Sequence, residues 1–133
     1  MNINRFLTAN AIIFVAGGIA FALYAPLMVD MYGILNTQGN ALTYWHAVSF
    51  ARMYGAALFG FGFLIWALKN FPLNDPTARR SMLLSMILAN GVGLVVAVTQ
   101  QLSIWGTLAG WITVAAYGLL LAGYIYFLVT RPS

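Results

Sequence analysis

The sequence predicts an all-α fold: an integral membrane bundle of four helices running up and down through the bilayer. Three observations predict it. Apolar residues make up 62% of the chain and charged residues 6%, against roughly 45–50% and 25% in soluble domains. So few charges could not coat a soluble fold of this size. The apolar residues fall into runs at about 6–29, 43–68, 76–101 and 108–129. Each run is long enough to cross a hydrocarbon core of roughly 30 Å at about 1.5 Å per residue. Finally, Arg5, Lys69, Arg79, Arg80 and Arg131 all fall on one side of the path these runs trace. One membrane domain, 1–133, accommodates all of it.

The first run follows Arg5. Ala20-Phe21-Ala22 has some likeness to a signal-peptide cleavage site, but the charged flank is weak and the apolar run continues past it, so a retained helix is expected. Pro26 should bend or end that helix, because proline has no N–H and its ring crowds the preceding turn. Asp30 follows at the interface. Asn36-Thr37-Gln38-Gly39-Asn40 is a polar turn. Thr43 is the expected N-cap of the second helix, which exceeds a perpendicular span and so should tilt or expose its first turn. Pro72 blocks continuation beyond Lys69. Asp75-Pro76 has the signature of an N-cap followed by proline at the first helical position. Residues 103–107 leave room only for a tight connection to the fourth helix.

The positive-inside rule places both termini in the cytoplasm, with loops 31–43 and 103–107 outside. Tyr44, Trp45, Trp105 and Trp111 then form an outer aromatic belt, and Trp66 marks the inner one. Tyr54-Gly55 with Gly60 echoes Tyr117-Gly118 with Gly123, too little to establish a duplication.

Each run carries a small or polar stripe at heptad-like spacing. These are Asn10, Gly17 and Tyr24; Ser49, Arg52 and Ala56; Asn90, Gly93, Ala97 and Gln101; and Gly106, Gly110, Tyr117 and Tyr124. Lipid tails are as apolar as leucine, so helices associate through close packing and interhelical hydrogen bonds. The stripes are therefore expected at the helix seams, with Asn90, Gly93, Gly110 and Tyr117 as packing residues; a polar cavity between helices is the alternative. Asn90 is expected to bond across the bundle. Residues 106–110 match a small-residue dimer motif at a helix start.

Candidate ligand-binding residues are Arg52, Asp30, His46 and Gln101. Arg52 is the one lysine or arginine deep inside an apolar run, since Arg79 and Arg80 lie at the start of theirs. A charge there must snorkel, pair or line water. An Arg52–Asp30 ion pair latching the first two helices is the structural expectation; an anion or polar ligand held by Arg52 is the functional one. His46 is the only histidine and so the only candidate ligand for a haem or pigment. It lies about 120° around the helix from Arg52, on the face of Phe50, Met53 and Ala57, as expected for a packing or lipid-facing residue.

Catalytic templates do not fit the inventory. Asp30 and Asp75 are the only carboxylates and fall on opposite sides of the predicted membrane, so no acid–base pair forms. Ser49 and His46 point to different faces, which breaks any Ser–His–Asp set. No cysteine is present, excluding disulfides and thiolate metal sites, and no metal-ligand cluster or phosphate-binding glycine loop occurs. The net charge of +4 is scattered, so nucleic acid is not an expected partner.

Asn10, the Leu23-Tyr24-Ala25-Pro26 run leading to Tyr32-Gly33, the Arg52-x-x-Gly55 step, the Arg79-Arg80 pair and Gly110-Trp111 together resemble a family of small four-helix bacterial inner-membrane proteins. These are grouped as domains of unknown function, and the likeness covers nearly the whole chain. It implies a bacterial cytoplasmic membrane and brings no activity with it. The expectation is a non-catalytic accessory or structural subunit, or a small homo-oligomer, without cofactor. The alternatives are a small-solute or anion protein centred on Arg52 and a pigment or haem subunit through His46.

Overall fold

Five α-helices occur among the described residues: α1 (Ile3–Leu23), α2 (Ala25–Met31), α3 (Ala41–Leu68), α4 (Pro76–Gln100) and α5 (Leu108–Val129), with a π-helical turn, Gln101–Trp105, extending α4. The computed structural model describes residues 2–35, 39–71 and 74–130. Asn36, Thr37 and Gln38 of the expected turn, Pro72 and Arg131 lie outside them. Four helices are long and apolar enough to cross a bilayer, which makes this a multi-pass membrane protein; α2, at 7 residues, is too short. The chain divides into two helical units, Met1–Asn70 and Phe71–Ser133.

In the first unit, the expected single helix 6–29 is two helices. The break falls at Tyr24, whose φ of −115° and ψ of 34° are not helical. Pro26 explains it: it cannot donate to the Ala22 carbonyl, and its ring crowds that turn. The chain re-enters α2 and lays Ala25 and Val29 against Tyr44 and Val48 of α3. The end of α2 is a Schellman turn. Gly33 sits at φ 87° and donates to the Asp30 carbonyl, while Ile34 donates to that of Val29 at 3.0 Å and packs on the same small core. Helix α3 starts two residues before the expected boundary. Its N-cap is Asn40, whose side chain accepts from the Leu42 amide at 2.9 Å, and not Thr43.

Helices α1 and α3 are antiparallel and pack backbone to backbone. Leu7, Ala11, Phe14 and Gly18 are buried on α1, and Tyr44, Val48, Gly55, Gly62 and Ile65 on α3. These alternating steps of three and four (or their sums) are the seam of a left-handed helix pair. Glycines set the spacing. A β-carbon on Gly18 would lie 2.5 Å from the Phe59 nitrogen, and one on Gly62 would lie 2.8 Å from that of Val15. One on Gly55 would strike the Ala22 nitrogen. The stripes expected for these helices need correction. Tyr24, Ser49, Arg52 and Ala56 are exposed, and Gly17 is only half-buried; a β-carbon there would lie 3.2 Å from a Leu58 methyl.

In the second unit, Asp75 caps α4 by accepting from the Thr77 and Ala78 amides at 3.1 and 3.3 Å, with Pro76 leading the first turn. Arg79 reaches across to the Phe127 carbonyl near the C-terminus of α5 at 3.4 Å, a favourable place for a cation. The π turn ends at Gly106, which is left-handed at φ 58°, and Thr107 then caps α5. Gly106 therefore stands outside α5, and residues 106–110 do not form a dimer motif on one helix face. Asn90, Ala97 and Gln101 are buried on α4, and Gly110, Leu120, Tyr124 and Phe127 on α5. The Tyr117 ring lies over Gly93, where a β-carbon would come within 2.5 Å of it.

Asn90 does not bond across to α5. Its amide donates to the Met86 carbonyl of its own helix at 2.8 Å, and its carbonyl oxygen is buried without a hydrogen bond. That carbonyl of Met86 is already part of a helix ladder, so the extra bond adds little, while the stranded oxygen is unfavourable. Asn90→Leu should leave thermal stability in detergent unchanged or raise it. A loss above about 1 kcal/mol, the net worth of a made hydrogen bond, would contradict this geometry.

Candidate functional site on α3

Helix α3 presents two different faces around its seam with α1. Ser49, Arg52, Ala56 and Gly60 form one exposed stripe; His46, Phe50, Met53 and Ala57 form another. Arg52 lies about 10 Å along the helix from Trp45. Cβ bonds on a helix tilt toward its N-terminus, so the Arg52 side chain is aimed to snorkel toward the Trp45 end. A β-carbon on Gly60 would meet nothing within 4 Å, so this glycine is not needed by α1.

Asp30 is not the partner of Arg52. Its Oδ1 accepts from the Tyr44 hydroxyl at 3.2 Å, joining α2 to the start of α3. Tyr44 is 93% buried, because its exposure is 7%, and a buried phenol needs an acceptor; the carboxylate at the end of α2 is the nearest strong one. Arg52 makes no ion pair among the described residues. Tyr44→Phe should therefore lower stability by roughly 1.5–3 kcal/mol, the range for a hydrogen bond to a charged group. Added to Asp30→Asn it should cost less than the sum. Arg52→Met should leave stability unchanged; a loss matching that of Asp30→Asn, with coupling between the two, would restore the latch.

His46 is exposed, beside Phe50 and Met53. Gln101 belongs to the second unit and is 3% exposed. Its Nε2 donates to the Thr107 carbonyl at 2.9 Å, closing the α4–α5 connection. Its amide thus serves its own hairpin. Trp45 packs edge-on against Tyr44 at 5.4 Å, and Trp105 is half-buried while Trp111 is exposed. No cluster of three or more His, Cys, Asp or Glu occurs among the described residues.

The feature that sequence reasoning missed is Gly60. Read together with Ser49 and Ala56 it lengthens a lane of small side chains on the exposed Arg52 face. The signal was present in the spacing, since Ala56 and Gly60 are four apart and one helical turn separates them. No family model matches the chain, nor does any curated protein or solved structure.

Proposed function

We propose that the chain is a non-catalytic subunit that joins other membrane helices, from a second copy or a different protein, through the α3 face bearing Ser49, Arg52, Ala56 and Gly60. The observation that carries this reading is Arg52, exposed on a membrane-length helix and flanked by small residues. An arginine at the helix centre costs about 2.5–3.5 kcal/mol on insertion scales. A neighbouring helix that approaches over Ser49, Ala56 and Gly60 can supply carbonyls or a carboxylate to offset it. Both carboxylates have local partners, Asp30 with the Tyr44 hydroxyl and Asp75 with the amides of a helix cap, which supports the non-catalytic reading.

The same arginine supports a second reading, a bound anion or small solute, because Arg52 is exposed and makes no ion pair among the described residues. The test is purification in gentle detergent with mass spectrometry of everything bound. A stoichiometric protein partner or second copy, lost in Arg52→Leu, supports the subunit. A lone chain whose anion uptake disappears in Arg52→Leu supports the second reading instead.

A bacterial cytoplasmic membrane with both termini inside completes the proposal. Its support is the charge bias and the resemblance described above. Cysteines placed at Gly39 and Asn74 should differ in labelling by an impermeant reagent, only the first reacting from outside intact cells. Outside labelling of the second would reverse the orientation.

A further inference from the structure

The first turns of α1 and the C-terminal end of α3 enclose an open groove of about 500 Å³, lined by Asn4, Arg5, Thr8, Ala9, Ile12 and Lys69. That volume lies within the roughly 300–1,000 Å³ of small-molecule sites. We infer that this groove binds the phosphate of an anionic phospholipid, held by Arg5 and Lys69, with the glycerol and the root of an acyl chain on Ala9 and Ile12.

Four observations carry the inference. Both cations belong to one mouth, and no carboxylate lines it. The N-terminus of α1 opens beside them, and the positive end of a helix dipole favours an anion there. Lys69 holds its Nζ 3.5 Å from the centre of the Trp66 ring, so the ammonium is fixed at the level of an indole, the side chain that prefers the headgroup region. The lining also changes character along α1, from Asn4, Arg5 and Thr8 to Ala9 and Ile12, one of which, Ile12, is 57% exposed. A ligand with a charged head and an apolar tail matches that gradient; a free anion would use only its mouth. The two cations come from opposite ends of the unit's sequence, and antiparallel packing of α1 on α3 is what unites them.

The test is native mass spectrometry of the full chain in detergent, titrated with phosphatidylglycerol, phosphatidylcholine and soluble glycerol phosphate. The wild type should bind one phosphatidylglycerol in preference to phosphatidylcholine. Each cation near an anionic headgroup is worth about 1 kcal/mol, or roughly five-fold in affinity. Arg5→Gln and Lys69→Gln should each reduce the preference by about that factor, and the double variant should abolish it. Arg5→Lys should retain it, as should Arg80→Gln, a change of equal charge outside the groove. Arg5 is exposed and Lys69 half-buried, and circular dichroism checks that the variants stay helical. Equal binding of the two lipids by the wild type would overturn the inference, as would a preference that survives the double variant. Loss in Arg80→Gln to the same degree would show a diffuse charge effect and overturn it too. Displacement of the lipid by millimolar glycerol phosphate would assign the groove to soluble phosphates and likewise reject it.

Discussion

Gly55→Leu should force α1 and α3 apart. A β-carbon at Gly55 meets the Ala22 nitrogen, the Phe21 carbonyl carbon at 2.7 Å and the Gly18 oxygen at 2.8 Å, all of them backbone. Backbone cannot rotate away as a side-chain tip can, so the whole helix must move. Overpacking a well-filled core costs typically 1–3 kcal/mol, and this case exceeds that range because separation also uncovers the contacts at Gly18 and Gly62. In a bilayer there is little hydrophobic force to hold a loosened pair together; packing itself supplies the attraction. The measurement is thermal unfolding in detergent, with loss of the folded monomer as the strong outcome. Gly91→Ala serves as the control, since a β-carbon there meets nothing within 4 Å. It should be neutral or stabilise by up to about 1 kcal/mol through helix propensity. If both variants behaved alike, the close approach of α1 and α3 would be wrong.

Gly110→Ala is the second large effect. The Gln101 Oε1 occupies the place the new methyl would take, with Cδ at 2.8 Å and Trp105 Cε3 at 3.1 Å. The glutamine must swing out, breaking its bond to the Thr107 carbonyl and leaving two amide groups in an apolar site. Each of the two groups stranded by the broken bond costs about 1–3 kcal/mol, so a total of about 2–6 kcal/mol is expected. The mechanism predicts non-additivity. In a Gln101→Ala background there is no amide to displace, and Gly110→Ala should then cost well under half as much. Equal losses in both backgrounds would place the strain elsewhere in the α4–α5 turn.

The helix ends were largely legible because their signals are local. Asp75-Pro76 and Thr107 mark the starts of α4 and α5 through capping chemistry that needs no tertiary contact. Pro26 announced the break after α1 for the same reason. At α3 two residues satisfy the same local rule, and it is Asn40 that caps the helix while Thr43 lies inside the first turn. Faces were harder to read. On α3 the seam through Val48, Gly55 and Gly62 and the stripe of Ser49, Ala56 and Gly60 both offer small residues, so size alone does not say which meets α1. Polarity is a poor guide to the seam. A charge wants shelter, yet α1 comes too close to α3 to admit the Arg52 guanidinium. Opposite charge is a poor guide to the partner of Asp30 as well, because the group in need of an acceptor is a buried phenol. On α5, Gly110, Tyr117 and Tyr124 lie at heptad spacing, while α4 carries a second small stripe, Ser81, Ser85 and Ala89, which is exposed.

The central claim is that the Arg52 face of α3 is covered by another chain, and labelling tests it most directly. A photo-reactive benzoyl-phenylalanine can be placed at Ala56, within the stripe, and separately at Ala57, on the neighbouring exposed face with His46 and Phe50. Its carbonyl inserts into C–H bonds and so works in hydrocarbon, where a thiol would not ionise. Both variants are then irradiated in native membranes. The expected result is a protein adduct heavier than the 14.5 kDa chain from position 56 and none from position 57. No protein adduct from position 56, or equal adducts from both, would contradict it.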